Sequence, residues 1–186
     1  MNVMSAPFFP RSSPLSLRRT WLLLGAAAVL AGCSSKPRSK NTAHRSSGLR
    51  TAPATALKLQ GELRESLLAR TMLVVNTPYT YGGNSPEGGF DCSGLIQWAV
   101  KGIHNGALPR TTAQWAQSST PVQNRSLQRG DFVFFNTLGG PYSHMGIFVG
   151  NGQFVHAPSK GGTVQRVRMD NVYFAKRFTE ARSIFV

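Results

Sequence analysis

The chain has 186 residues, a formal charge of +14 and only two cysteines. Its length allows one domain with a real core and not two comfortable ones. So strong a positive charge points to acidic partners, with nucleic acid the first candidate.

The first segment changes that candidate. Residues 1–32 carry Arg11, Arg18 and Arg19 and then run apolar through "WLLLGAAAVLAG" to Cys33, the charge-then-apolar layout of a secretory signal. The run is too short to remain as a membrane helix. "LAGC" is similar to a bacterial lipobox, which implies that Cys33 becomes the lipidated first residue of the mature protein. Ser34 after it implies sorting to the outer membrane, facing the periplasm. An ordinary signal peptide that happens to include Cys33 is the plainer alternative, and the Arg pair in "SLRRTWLL" leaves general secretory and twin-arginine export both open. Loss of the leader takes three positive charges from the +14. For an exported protein, anionic lipid head groups or the carboxylates of the cell wall replace nucleic acid as the expected counterpart. The tether, residues 33–58, fits either that role or a plain solvated linker. It is Ser, Thr, Pro and Ala with Lys36, Arg38, Lys40, Arg45, Arg50 and Lys58 and no acid.

The folded part is expected over residues 59–186. Leu59, Leu63, Leu67 and Val74, with Leu68, Met72 and Leu73, form an i, i+4 stripe that predicts an amphipathic helix stopped by "NTP" at 76–78. "SPEGG" is turn chemistry, and "LIQWAVKG" predicts a second helix ending at Gly102 with Cys92 at its N-terminus. Unpaired N–H groups there favour an anion and are expected to shift the thiol toward thiolate. With Cys33 acylated, Cys92 has no disulfide partner, so it is either buried and inert or kept for its reactivity.

A nucleophile needs a base, and there are four histidines. His44 in the tether and His104 beyond the second helix read as surface residues. His144 and His156 bracket "HMGIFVGNGQFVH", two apolar runs around Gly150-Asn151-Gly152 that predict a β-hairpin. A strict Asn-Gly loop pairs Val149 with Phe154 and sends the two imidazoles to opposite faces. A three-residue loop pairing Val149 with Gln153, or an equivalent bulge, puts them on one face. Two half-buried, hydrogen-bonded strand histidines are the bland alternative. "GDFVFF" and "GTVQRVRM" predict strands, with Gly130 and Asp131 as turn chemistry. Trp98 and Trp115 read as helix-face packing, with Trp115 a candidate for the cleft wall. Arg166, Arg168, Lys176, Arg177 and Arg182 either attract substrate carboxylates or form solvated faces.

"YTYGG", "FDCSGLIQWAV", "RGDFVFF", "SHMGIFVGNGQFVHA" and "YFAKRFTEARSI" together resemble the NlpC-type bacterial cell-wall cysteine peptidases, in particular their small tethered lipoprotein members with murein endopeptidase activity. The resemblance covers about residues 62–186. It implies a papain-like α+β fold, N-terminal helices packed on an antiparallel sheet of about five strands, and peptidoglycan stem peptides as substrate. It implies Cys92 as nucleophile, His144 as base, and His156 as the group that orients His144. It further implies that Tyr79 helps form the oxyanion site, with Tyr81 the competing alignment, and that Asp91 and Ser93 border the substrate's amino-terminal side. No metal or other cofactor, no nucleic acid and a monomer are expected.

The residues taken alone agree with that chemistry. Thiolate attack on a peptide carbonyl yields an oxyanion, for which helix N-terminal N–H groups and a phenol are suitable donors. The base then protonates the leaving amine, and a neighbour must hold its ring and tautomer. A D-alanyl to meso-diaminopimelyl cross-link is the expected bond, with a D-γ-glutamyl to diaminopimelyl stem bond as alternative. A wall-binding lipoprotein without turnover, a Cys-His-His zinc site lacking a fourth ligand, and an acyltransferase on the same scaffold are the other readings.

Overall fold

The computed structural model describes residues 56–159 and 161–186. The leader, Cys33 and most of the tether, where a signal, a lipid anchor and a flexible linker are expected, lie outside the described residues. Among the described residues no helix is long and apolar enough to cross a membrane. Backbone pairing begins slightly before the expected boundary, where the Leu57 N–H donates to the Ser118 carbonyl and the Leu59 N–H to the Ile184 carbonyl.

Helix α1 spans Leu63–Leu73 and buries Leu67, Leu68 and Thr71. Leu59 is buried outside the helix, through an isolated bridge to Phe185. Leu73, assigned to the stripe from sequence, is 78% exposed, and Met72 also faces solvent. The buried row steps 67, 71, 74, so positions 72 and 73 rotate off it.

A two-stranded ribbon, β1 (Asn84–Ser85) and β2 (Gly89–Phe90), turns through "PEG" and delivers the chain to α2, Cys92–Lys101. Leu95, Ile96, Ala99 and Val100 of α2 are fully buried. Both ends of α2 are fixed. Asp91 caps the first turn by accepting from the Gly94 N–H. At the other end the Arg70 guanidinium lies 4.2 Å from the centroid of the Trp98 ring and donates to the Trp98 and Ala99 carbonyls. Gly94 is needed for close approach, since a Cβ there would lie 2.0 Å from the Gly83 carbonyl oxygen. Helix α3, Thr112–Gln117, starts with a capping box between Thr111 and Gln114 and buries Trp115.

Among the described residues the sheet has six antiparallel strands, one more than the about five expected. They are β3 (Thr120–Val122), β4 (Phe132–Phe135), β5 (His144–Gly150), β6 (Gln153–His156), β7 (Gln165–Arg168) and β8 (Phe178–Ser183), in the order β3-β8-β4-β5-β6-β7. The extra strand is β3, a three-residue edge segment whose Pro121 hides it from pattern reading. A short helix α4, Val172–Ala175, precedes β8. Strand β4 is buried on both faces. Phe132 and Phe134 pack with Met145 and Ile147 toward the helices, while Val133 and Phe135 pack with Phe154 and Phe174 on the other side. Each fully buried phenyl ring stabilises the fold by about 2–3 kcal/mol.

The β5–β6 hairpin settles the histidine geometry. Phe148 pairs with Phe154 and Gly150 with Gln153, with a register shift between Phe148 and Gly150. The turn is the tight Asn151-Gly152 pair, both at positive φ, and the required bulge sits at Val149. His144 and His156 therefore share a face. Gly146 lies between them, and a Cβ there would lie 2.7 Å from Phe154 Cδ2 and 3.3 Å from His156 Cβ.

Candidate active site

Cys92 is the first residue of α2, His144 the first of β5 and His156 the last of β6. The N-terminus of α2 packs at the end of the sheet where the two histidines emerge. All three residues line one cleft of about 610 Å³, together with Tyr79, Tyr81, Asp91, Ser93 and Arg110. Cys92, His144, His156, Tyr79, Asp91 and Ser93 are thus brought to one place.

His144 Nε2 and His156 Nδ1 are 2.8 Å apart. Both rings are buried, His156 to 1% exposure. The edge-on contact leaves Nδ1 of His144 as the nitrogen available to a thiol. A base that accepts there must carry its proton on Nε2, donate it to His156 Nδ1, and so place the His156 proton on Nε2. That last atom is buried and has no hydrogen-bond partner among the described residues. The His156 ring itself packs 5.0 Å from the Phe174 centroid at 79° and 5.1 Å from that of Phe154. Burial pushes the His144 pKa down to about 4, and burial with the charge of His144 pushes that of His156 down to about 3. The pair is neutral at neutral pH.

The thiol departs from expectation. Cys92 is half-buried, and its pKa is pushed up to about 11, first by desolvation and then by the neighbouring Asp91 charge. The backbone N–H groups of Met145, Ser93 and Cys92 pull the other way without prevailing. The helix terminus acts as expected, but loss of solvent around sulfur is the larger effect. At rest the site holds a neutral thiol and a neutral imidazole instead of a preformed thiolate.

Tyr79 is half-buried beside β2, bridged to Phe90, and its phenol is shifted up by burial and by the Cys92 and Asp91 charges. Tyr81 stands at the rim, 91% exposed. Trp115 is fully buried in the core and does not reach the cleft. Arg166, Arg168, Lys176, Arg177 and Arg182 do not line it either. Arg168 is paired with Asp170, Arg182 with Glu180, and Arg177 lies over the Tyr173 ring. Among the described residues the one cation on the cleft wall is Arg110, which sequence reading did not single out. Its only signal was its place in "LPRTT", directly before a helix-capping threonine. No group of three or more His, Cys, Asp or Glu converges as a metal site among the described residues.

The chain matches the NlpC/P60 family over residues 76–183. It is 36% identical over 118 residues to the murein DD-endopeptidase MepH of Escherichia coli K12, covering 62% of this chain and 44% of that protein. It is 35% identical over 167 residues to the probable endopeptidase NlpC of the same organism, covering 89% of this chain and 99% of that one. In structure it is similar to a lipoprotein-like NLP/P60 protein from Staphylococcus aureus. The TM-score there is 0.60 and the identity 25%, over 73% of this chain and 45% of that one. The chain thus spans about half the length of MepH and of the Staphylococcus protein, and nearly all of NlpC. With the expected motifs, fold and site in register, the chain belongs to the NlpC/P60 family.

Proposed function

We propose that this protein is a cysteine endopeptidase of peptidoglycan that cleaves D-alanyl to meso-diaminopimelyl cross-links by a Cys-His-His mechanism. The observation that carries the reading is the His144–His156 contact, 2.8 Å between ring nitrogens, in one cleft with a thiol at a helix N-terminus. The names of MepH and NlpC support the reaction class, and that of MepH supports the cross-link.

In this mechanism the Cys92 proton passes to His144 Nδ1 as sulfur attacks the scissile carbonyl. The imidazolium so formed donates through Nε2 to His156 Nδ1. Burial makes each charge costly alone, so the pair forms together, aided by the amides of Met145, Ser93 and Cys92 that face the sulfur. Donors at the start of α2, with the Tyr79 hydroxyl, suit the oxyanion. His144 then protonates the leaving amine, leaving a thioester that water hydrolyses with His144 again as base. His156 lacks the full negative charge of an aspartate and stabilises the imidazolium more mildly. Asp91 and Ser93 flank the amino-terminal side of the scissile bond.

Digestion of purified wall followed by mass spectrometry of the muropeptides tests this. Conversion of cross-linked dimers to monomers is expected. Shortened stems with cross-links retained would assign the D-γ-glutamyl bond instead, and an unchanged profile would remove the enzymatic reading.

A further inference from the structure

Asp91 and Ser93 flank the nucleophile, and both are held by a residue from a distant part of the chain. Arg110 Nη2 donates to Asp91 Oδ2 at 2.7 Å, and Nη1 donates to Asp91 Oδ1 at 3.1 Å and to Ser93 Oγ at 3.0 Å. The carboxylate also accepts from the N–H groups of Gly94 at 2.7 Å and Gly82 at 3.0 Å, and from the Ser93 hydroxyl at 3.1 Å. These bonds use both oxygens fully, so Asp91 has little capacity left for a ligand. Arg110 is itself braced. Its N–H donates to Gln114 Oε1 of the α3 capping box at 2.9 Å, and the Pro109 carbonyl accepts from Gln97 of α2 at 3.1 Å.

We propose that Arg110 is a positioning residue for the nucleophile: its guanidinium fork fixes the Asp91 cap of α2 and neutralises the carboxylate that lies beside the Cys92 thiol. An uncompensated carboxylate adjoining a half-buried sulfur opposes thiolate formation by like-charge repulsion. A bidentate guanidinium offsets part of that repulsion, so that the remaining Asp91 effect on the thiol is smaller than a bare carboxylate would exert, while keeping the cap that holds Cys92 at the first turn. The charge balance agrees. Burial pushes the Asp91 carboxyl up, but the bonds from Arg110, Gly94 and Ser93 and the Arg110 charge hold it below the usual carboxylate value. The other titratable groups lining the cleft are Tyr79 and Tyr81 from the loop before β1, His144 and His156 from the sheet, and Tyr173 from α4; burial keeps the two histidines neutral at neutral pH, and the Tyr79 phenol is shifted up.

The test is the pH dependence of Cys92 alkylation by iodoacetamide. It reads the thiol whether or not any peptide is cleaved, so its failure is separable from failure of the proposed reaction. Arg110→Gln is expected to slow alkylation roughly tenfold at a fixed pH on the rising limb, a shift of about one unit. The double variant Asp91→Asn/Arg110→Gln removes both charges and keeps a good cap residue, and is expected to restore alkylation to at least the wild-type rate. Asp91→Asn alone, leaving Arg110 unpaired, is expected to alkylate faster than wild type. Should Arg110→Gln fail to fold, the other two variants still decide. A wild-type profile in Arg110→Gln, no restoration in the double variant, or no acceleration in Asp91→Asn would each overturn the assignment.

Discussion

His144 and His156 meet edge to edge, their ring planes at 90° and their centroids 5.0 Å apart. One nitrogen of each is committed to the other, so the two cannot serve equivalently. In the proposed mechanism His144 turns its remaining nitrogen, Nδ1, to the thiol, and His156 fixes the ring.

Removal of the two is therefore expected to differ in effect. His144→Ala loses a general base typically worth roughly 100- to 10,000-fold and is expected to fall to background. His156→Gln retains an amide oxygen that accepts from the imidazole and is expected to keep measurable kcat/KM with an altered pH profile, whereas His156→Ala does worse. Circular dichroism controls for folding. Loss of activity in His156→Gln equal to that in His144→Ala, with His156→Ala active, would contradict the orienting role.

Burial of both imidazoles also couples stability to acid. Their pKa values fall from the ordinary 6.5 to about 4 for His144 and about 3 for His156. Below 6.5 the unfolded chain takes up protons that the folded chain refuses, so stability is complete above that pH and declines as pH falls toward 4. For His144 alone the loss approaches roughly 3 kcal/mol at about 1.4 kcal/mol per unit. Urea midpoints measured between neutral and acidic pH are expected to fall accordingly, and less steeply in His156→Gln. Equal slopes in the two proteins would mean that His156 is not buried neutral. The same shift implies that the acidic limb of kcat/KM lies well below the ordinary imidazole range.

Much of this arrangement was legible in the sequence because it rests on local chemistry. "SPEGG" encodes a turn and "LIQWAVKG" the helix that starts at Cys92, although the capping role of Asp91 was not read, and the Gly-Asn-Gly between two apolar runs encodes the hairpin. The bulge was named as a condition of the histidines acting together, though its position at Val149 was not. What escaped depends on contacts far apart in the chain. The pairing of β3 with β8, the reach of Arg110 to Asp91, and the packing that desolvates Cys92 leave no periodic mark. The thiol shows the difference most clearly. The helix terminus that favours thiolate is written next to Cys92, and the burial that opposes it comes with packing against a core drawn from several distant segments.

The position of the protein in the cell is open to a direct test. The "LAGC" stretch motivates the proposal that Cys33 is lipidated and holds the domain at the outer membrane through the basic tether. Wild-type protein is expected to partition into detergent and to fractionate with outer membranes. Cys33→Ala is expected either to accumulate as a precursor or to be released without lipid. Unchanged detergent partitioning of that variant would assign the anchoring to another feature.

The last expectation concerns the nucleophile itself. Because burial and Asp91 raise the Cys92 pKa to about 11, the free thiol is neutral at neutral pH. Its alkylation is expected to be stoichiometric but slow there and to climb through the alkaline range without a neutral plateau. The proposed mechanism does not need that free thiolate, since in it the proton passes to His144 within the bound complex, so activity is expected at pH values where alkylation is still slow. Cys92→Ala is expected to fold and be inactive. Cys92→Ser is expected to be nearly inactive, because a hydroxyl is far less acidic than a thiol and His144, depressed to about 4, is a weak base toward it. A plateau of alkylation at neutral pH would restore the preformed thiolate, and full activity in Cys92→Ala would remove Cys92 from the mechanism.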